Sequence, residues 1–361
     1  MKYKLILWIF ILVTFTFCNS KKDLKAIYFQ EEDLPEKVFL KGSKFNFEEI
    51  MNPYGVFLMN GLALVYEVKN VGDDKFHIID LENERVIGSK GIDGMGPGEI
   101  SLISQIESVD GQNNKVWTFD PELLIYSKFD LSDTSRLAEE QIRAPQTVHF
   151  LTELVWTSDS TLLGNAVDGW TKYFHLTKTG DTLALFGNWK DMVSGNQFPR
   201  GINENELDAN LISNLFQGPL RASKDKKHFI KVGMNVDYID IIDLENQTVK
   251  TVLGPSHDIQ DFQVRYSAGY QMPVYNDDKT TRYAGAFAGE NSFYVLFRGK
   301  PYSQISALED LNRIFQFDYE GNILNHYQLD YPIFGFSVDE ENRTIYGVTV
   351  DRDPNLVKFE Y

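Results

Sequence analysis

The stretch GSKGIDGMGPGEI, residues 88–100, contains the residues that most resemble a chemical motif. Glycine-rich loops bind phosphate through converging backbone N–H groups, and a Walker loop places Lys and Ser or Thr directly after its last glycine. Here Pro97 follows Gly96, and the glycine spacing does not match the G-x-G-x-x-G of a dinucleotide site. The glycines therefore predict a turn with special backbone geometry, in which Glu99 accepts N–H bonds from the loop.

Metal-binding and nucleophilic motifs are missing from the sequence. It contains neither an H-E-x-x-H motif nor an EF-hand loop. The six histidines lie far apart, at His77, His149, His175, His228, His257 and His326. In RYSAG, residues 265–269, Arg265 stands where a nucleophile elbow requires glycine. We expect no metal and no cofactor, and the sequence favours a non-catalytic protein over an enzyme.

Several aromatic and cationic residues are candidates for ligand binding, because Trp, Tyr and Arg are enriched at binding hot spots. The candidates are Trp170, Arg200, Arg282, Arg298 and Tyr302. The alternative for each aromatic residue is packing within the fold, and for each arginine it is ordinary surface charge.

Repeated segments indicate the elements that must position these residues. The hexapeptide IIDLEN occurs twice, at Ile78–Asn83 and Ile241–Asn246. Weaker copies share an alternating apolar run, an Asp or Thr, and a Gly, Asn or Asp three residues later. The turn positions are 80, 130, 177, 243 and 318. Each copy is typical of a strand that ends in a type I turn.

The spacing of these copies predicts the fold. Intervals of about 40–50 residues, with several short strands in each, are typical of a β-propeller. The terminal VKFEY supplies a sixth strand of the same kind. We therefore expect an all-β, six-bladed β-propeller over residues 36–361.

Two of the intervals are longer than the others and predict inserts at 190–221 and 255–285. The first contains NENELDANLISNLFQG, residues 203–218, with leucines at helical spacing. Asn203 with Glu206 is typical of a helix start and Gly218 of a stop, so we expect one short helix. Long loops on rigid scaffolds often carry function, so both inserts are expected near one mouth of the ring.

The N-terminus resembles a secretory signal. Lys2 and Lys4 precede an apolar run from Leu5 to Phe17, which is shorter than the roughly 20 residues of a membrane-spanning helix. The run ends at Cys18, the only cysteine. We interpret 1–17 as a lipoprotein signal peptide, Cys18 as the lipidation site and 18–35 as a polar tether. The alternatives are an uncleaved anchor or a signal peptide without lipidation.

Three segments carry a resemblance to a known family. They are KGIDGMGPGEI, SFYVLFRGKPYS and the C-terminal IFQFDYEGNILNHYQLDYPIFGFSVDEENRTIYGVTVD. Together with the lipoprotein-like start, they resemble the TolB-like six-bladed β-propeller lipoproteins of Bacteroidetes. The resemblance covers about residues 36–361. It implies the fold and an envelope location, but no catalytic set.

The net charge of the protein limits the classes of molecule that it can bind. The net charge is −17 and the isoelectric point about 4.8, which disfavours nucleic acid. We expect a lipid-anchored cell-envelope propeller that binds a protein, peptide or glycan without catalysis. The alternatives are an axial-metal hydrolase of lactonase type and a structural envelope scaffold. The expected location is the outer membrane, reached only through the N-terminal lipid, or alternatively the soluble periplasm.

Overall fold

The computed structural model describes residues 26–69, 71–144, 151–195, 197–276, 278–301 and 311–361. The expected signal peptide, Cys18 and Tyr302 lie outside the described residues. Three short strands precede the first blade, and a single 3-10 turn, Glu31–Asp33, lies between the first two. The strands are β1 (Ala26–Tyr28), β2 (Lys37–Leu40) and β3 (Gly42–Lys44).

Six antiparallel sheets follow, which confirms the all-β, six-bladed propeller. Blade 1 contains β4 (Pro53–Met59), β5 (Leu62–Glu67), β6 (Asp74–Asp80) and β7 (Arg85–Ile92). Blade 2 contains β8 (Gln105–Val109), β9 (Gln112–Asp120), β10 (Ile125–Asp130) and β11 (Glu140–Arg143). Blade 3 contains β12 (Leu151–Trp156), β13 (Thr161–Ala166), β14 (Thr171–Thr177) and β15 (Thr182–Asn188).

The second half of the chain repeats this order. Blade 4 contains β16 (Leu220–Ala222), β17 (Phe229–Val232), β18 (Tyr238–Asp243) and β19 (Thr248–Leu253). A separate hairpin of β20 (Phe262–Ser267) and β21 (Tyr270–Tyr275) precedes blade 5. Blade 5 contains β22 (Thr280–Ala288), β23 (Ser292–Pro301), β24 (Arg313–Asp318) and β25 (Ile323–Leu329), and blade 6 begins with β26 (Ile333–Asp339), β27 (Thr344–Thr349) and β28 (Leu356–Glu360).

The predicted turns lie at the ends of third strands. IIDLEN ends β6 in blade 1 and β18 in blade 4. Asp80 Oδ1 accepts hydrogen bonds from the N–H groups of Glu82 and Asn83, both at 3.1 Å, and Asp243 Oδ1 accepts one from the N–H of Asn246 at 2.9 Å. The carboxylate therefore fixes the turn into the fourth strand, as expected from the sequence.

The N-terminal strands lie on the outer edges of three consecutive blades. β3 pairs antiparallel with β28 and supplies the fourth strand of blade 6. β1 pairs parallel with β19 of blade 4, and β2 pairs parallel with β25 of blade 5. The ring is therefore closed by the chain start, and residues 26–28 of the expected tether form part of blade 4.

The alternating strand directions give the ring two different ends. The loops after the first and third strands of each blade lie at one end, here called the hairpin end. The loops after the second strands, and the links from each fourth strand to the next blade, lie at the other end, here called the connector end. The inserts belong to the links from blade 3 to 4 and from blade 4 to 5, so both lie at the connector end.

Apolar packing between blades forms the core. Six clusters of buried side chains each join two neighbouring blades, so that every interface around the ring is filled. At the closure, for example, Val65 and Ile79 of blade 1 pack with Tyr346 and Val348 of blade 6. Burial of this apolar area is the main favourable contribution to folding.

The first insert contains the predicted short helix, α2 (Ala209–Leu215), which lies within residues 203–218. A second short helix, α1 (Trp189–Gly195), precedes it and was not predicted. Asn203 caps only the 3-10 turn Glu204–Glu206, and Asp208 caps α2 by accepting the N–H of Leu211 at 2.7 Å. The predicted helix therefore begins too early, because Asn203 and Asp208 each compete for the capping role.

A buried ion pair joins blades 3 and 4. The Nζ of Lys172 in β14 bonds Asp240 in β18, and the two side chains are 3% and 0% exposed. Asp240 also accepts hydrogen bonds from the hydroxyls of Tyr173 at 2.6 Å and Thr251 at 2.7 Å. All of these partners satisfy charge that would otherwise be buried at high cost.

Replacing one partner of this pair should be strongly destabilising. We expect Lys172→Met to lower the free energy of unfolding by about 3–5 kcal/mol, because Asp240 would remain buried without its cation. Urea unfolding measures the change. The control is Lys227→Met, which removes an exposed pair with Asp225 and should cost at most about 1 kcal/mol. Equal effects of the two substitutions would contradict this account.

Candidate functional site

The glycine-rich stretch forms a loop around its own carboxylate. The N–H of Gly96 donates to Glu99 Oε2 at 2.7 Å, and a Cβ at Gly94 would lie 2.0 Å from the same oxygen. Gln141 fixes the loop from blade 2 by accepting the N–H of Gly98 at 2.9 Å. The expectation that Glu99 accepts an N–H bond from the loop is confirmed. The stretch begins within the fourth strand of blade 1, β7, and continues into the link to blade 2.

The described candidate residues all lie at the connector end, but on different elements. Trp170 lies between β13 and β14, half-buried, with Lys190 Nζ 4.9 Å from its ring centroid. Its carbonyl accepts the N–H of Trp189 at 2.9 Å, so it supports α1. Arg200 is exposed in the first insert. Their contribution to binding stays a prediction.

The two other arginines lie on the paired strands β22 and β23 of blade 5. Arg282 is half-buried, and its backbone N–H donates to the backbone carbonyl of Met234 at 2.8 Å. Burial lowers the pKa of Arg282, while nearby Asp237 raises it. Arg298 is buried, with only 6% of its surface exposed. These positions favour packing and electrostatic support of the blade over direct ligand contact.

The two inserts pack on each other. The N–H of Asp208 donates to Gln271 Oε1 at 2.9 Å, and Asn210 Nδ2 donates to the Gln271 carbonyl at 3.0 Å. Beneath these bonds, a buried apolar cluster joins α1, α2 and β20 to blade 4. Tyr266 and Tyr270 in the hairpin stay 73% and 50% exposed. The inserts are therefore one folded platform that presents aromatic side chains to solvent.

A cavity of about 670 Å³ occupies the hairpin end of the ring axis. The first-to-second strand loops of blades 1, 4, 5 and 6 line it, together with β8 of blade 2. Its charged lining residues are five carboxylates, Glu107, Glu290, Asp339, Glu340 and Glu341, and two ammonium groups, Lys224 and Lys226. The cavity is therefore polar and carries an excess of negative charge.

Hydrogen bonds hold the cavity walls in place. Glu107 accepts the N–H of Trp156 at 3.0 Å and pairs with Lys226 at 2.9 Å, which joins blades 2, 3 and 4. Glu340 accepts the N–H of Glu290 at 2.7 Å and the hydroxyl of Ser292 at 2.8 Å, which joins blades 5 and 6. The cavity is a preformed feature of the ring.

Polar side chains cross the axis below this cavity, at the connector end. Arg221 of blade 4 donates from Nη1 to Gln105 Oε1 of blade 2 at 3.2 Å and to the Leu220 carbonyl at 2.8 Å. The same Nη1 lies 3.8 Å from Glu153 Oε2 of blade 3. The Arg221 and Glu153 side chains are 27% and 34% exposed, although both belong to innermost strands. The channel is therefore open at these groups.

Aromatic rings of blades 1 and 6 continue this lining. The ring centroid of Tyr54 lies 5.1 Å from Phe334 and 5.9 Å from Tyr66. Burial raises the pKa of the Tyr54 hydroxyl, and the neighbouring Arg221 opposes that rise. Burial also raises the pKa of Glu153, again opposed by Arg221. These groups share one electrostatic environment at the connector end of the channel.

Comparison with known proteins assigns the family. The model of the TolB-like 6-blade propeller family matches residues 28–341. The chain belongs to the TolB-like six-bladed propeller family. No curated protein matches it significantly.

Solved structures resemble the TolB-like propeller in fold. A Bacteroides fragilis protein described as exported shares 12% identity, with 92% of this chain and 98% of that chain covered and a TM-score of 0.53. The β-propeller domain of Swd1 from Myceliophteria thermophila shares 9% identity, with 89% and 99% covered and a TM-score of 0.47.

The axial residues of the TolB-like propeller were missed by the sequence reasoning. Arg221 and Gln105 are 116 positions apart, and neither stands in a recognisable motif. The two residues come together only when the ring closes, so the sequence around either of them does not predict their contact. Within the described ranges, no group of three or more His, Cys, Asp or Glu is arranged to hold a metal ion.

The glycine-rich loop of the TolB-like propeller offers a direct test. Glu99→Ala should lower the free energy of unfolding by about 1–3 kcal/mol, because the N–H of Gly96 loses its acceptor. The matched control is Glu82→Ala, at an exposed turn of blade 1, which should change little. Thermal unfolding with and without ATP completes the test. Stabilisation of the wild type by ATP would contradict a purely structural loop.

Proposed function

We propose that this TolB-like propeller is a lipid-anchored protein of the bacterial cell envelope that binds a protein, peptide or glycan without catalysis. The observation that carries the proposal is the preformed cavity of about 670 Å³ at the hairpin end of the axis. Ligand sites are concave, usually largely preformed, and about 300–1,000 Å³ in volume. Loops on a rigid scaffold are also common places for binding residues.

The chemistry of the cavity supports a polar ligand with cationic or neutral groups. Carboxylates outnumber ammonium groups in its lining, so an anion would be repelled there. Lys226 already pairs with Glu107, which leaves the exposed Glu290 and Glu341 available at the rim. A cationic peptide segment would gain charge pairing at this rim, and a glycan would gain hydrogen bonds.

Envelope anchoring is supported by the N-terminal sequence. The apolar run from Leu5 to Phe17 ends at Cys18, the only cysteine. In the described part of the chain, no helix is long and apolar enough to cross a membrane. The described fold begins at Ala26, so only seven residues separate Cys18 from blade 4.

Lipidation predicts where the protein fractionates. Cys18→Ala should move the protein from the membrane fraction to the soluble envelope fraction, because no acyl chain would remain. Ser20→Ala is the control and should stay with the membrane. Mass spectrometry of the purified wild type checks the modification directly. An unmodified Cys18, or a Cys18→Ala variant that remains membrane-bound, would overturn the anchoring.

Charge reversal at the cavity rim tests the binding site. Labelled protein is applied to arrays of cationic peptides and neutral oligosaccharides. The double variant Glu290→Lys and Glu341→Lys should lose at least about tenfold in affinity for the ligands that the wild type binds, because rim attraction becomes repulsion.

The matched control carries the same charge change at the connector end. It combines Glu204→Lys with Asp261→Lys, both exposed. Unchanged binding by the rim variant, or loss only in the control, would place the site elsewhere. Metal analysis of the purified protein separates this function from an axial-metal hydrolase, which requires a stoichiometric cation.

A further inference from the structure

A second group of residues lies on the axis, next to the hairpin-end cavity but outside its lining. Tyr54, Gln105, Glu153 and Arg221 each lie within the first three residues of an innermost strand, in blades 1, 2, 3 and 4 respectively. The first residues of these strands lie at the connector end of the channel. Four blades therefore direct polar groups to one place on an axis that only ring closure creates.

Hydrogen bonds hold the Arg221 side chain in place and leave some of its N–H donors unused by the described residues. Its hydrogen bonds to described residues, with Gln105 Oε1 and the Leu220 carbonyl, both leave from Nη1. Among these residues, Nε and Nη2 therefore have no hydrogen-bond acceptor. A guanidinium presents its N–H groups as a planar fork that matches the two oxygens of a carboxylate. The structure thus fixes one side of Arg221 and leaves the other side of the fork open.

Glu153 does not neutralise this guanidinium fully. The distance of 3.8 Å between Arg221 Nη1 and Glu153 Oε2 is too long for a hydrogen bond. Burial raises the pKa of Glu153, so its ionised form is disfavoured by its surroundings. Lys231, fully buried in β17 of the same blade, is a further cationic group nearby, and it interacts electrostatically with Glu153, Asp240 and Arg221. Because Glu153 and Asp240 offset part of this positive charge, the attraction for an anion comes from the N–H groups of Arg221 that have no acceptor among the described residues.

The surroundings of Arg221 also include apolar surface. Tyr54, which interacts electrostatically with Arg221, is 37% exposed and packs on Phe334. At the same end of blade 4, Met234 is 37% exposed. Aromatic and Met side chains bind apolar groups of varied shape. A charged fork beside accessible apolar surface suits a ligand that carries a carboxylate next to an apolar side chain.

We propose that the connector end of the channel binds the free C-terminal carboxylate of a peptide, with Arg221 as its anion receptor. The site is distinct from the hairpin-end cavity and goes beyond the function proposed for it. The innermost strands surround the axis, so a peptide can enter the channel only with one end first. The end of a peptide chain therefore fits this site. The carboxylate takes the open side of the Arg221 fork, and the last side chain of the peptide packs against Tyr54. The carboxylates at the rim of the hairpin end repel the peptide carboxylate, so the peptide enters the channel from the connector end.

The test compares peptides that differ only in the carboxylate. Fluorescein-labelled tetrapeptides ending in Leu, Phe, Val or Ala are prepared as free acids and as C-terminal amides. Fluorescence anisotropy then measures their affinity for the full-length protein. At least one free acid should bind at least tenfold more tightly than its amide, because the amide cannot accept a charge-assisted bidentate pair.

Variants of the channel should change this affinity in opposite directions. Arg221→Gln should weaken free-acid binding at least tenfold, and Arg221→Lys should retain part of it as a point charge. Glu153→Gln should strengthen binding several-fold, because it removes the competing carboxylate. A gain of affinity cannot arise from misfolding, so this variant keeps the test valid if Arg221→Gln folds poorly. The matched control, Arg352→Gln, removes an exposed arginine from a connector-end loop of blade 6 and should change nothing.

Each other outcome overturns the proposal. Equal affinity for acids and amides, or for the wild type and Arg221→Gln, would show that Arg221 receives no carboxylate. Arg221-dependent binding of galacturonate trisaccharides, without peptide binding, would assign the site to acidic glycans instead. The rim variant Glu290→Lys and Glu341→Lys should leave peptide-acid binding intact, so failure at one end of the axis is distinguishable from failure at the other.

Discussion

The antiparallel pairing of Gly42–Lys44 with the strand Leu356–Glu360 is the contact on which the ring depends. It joins the chain start to the last blade, and without it blade 6 would expose an unpaired edge. Space at this contact is tight, because a Cβ on Gly42 would lie 2.8 Å from atoms of Val357, Phe359 and Tyr331. The same closure brings blade 1 against blade 6, where a Cβ on Gly335 would lie 2.5 Å from the Tyr54 carbonyl. Both the channel and its two ends follow from this closure.

Buried charged groups form contacts between neighbouring blades, and one buried lysine lowers stability. Lys172 and Asp240 are buried between blades 3 and 4, and Asp237 accepts the Tyr283 hydroxyl at 2.6 Å between blades 4 and 5. Burial lowers the pKa of Lys231 to about 8, whereas an unperturbed lysine titrates near 10.5. The unfolded chain therefore binds the proton more tightly, so this residue lowers stability below about pH 8 and the loss fades as pH rises towards 10.5. Apolar packing stabilises the ring, and these polar contacts join blades 3, 4 and 5.

The repeat was predictable from sequence because strand and turn chemistry is local. Asp80 and Asp243 each form their turn within three residues, so the pattern survives in IIDLEN. The helix in the first insert was placed only approximately, since Asn203 and Asp208 both resemble caps and the tertiary contact of Asp208 with Gln271 fixes the second. Closure by residues 42–44 and the axial position of Arg221 were not predictable. Both depend on contacts across more than a hundred residues, for which one sequence carries no local signal.

The two ends of the propeller differ in chemistry for a topological reason. Loops of the hairpin end join adjacent strands of one blade, and apart from the loop between β10 and β11 they have six residues or fewer. In blades 1 and 4, Asp and Asn side chains stabilise these turns. Links at the connector end join different blades and can lengthen without disturbing the strands, which is where the inserts lie. Some of the exposed large side chains lie there, namely Met51, Met95, Met234, Tyr266 and Tyr270, while others lie on the outer strands of the blades. The ring topology therefore allows inserts at the connector end without disturbing the blades that surround the polar cavity.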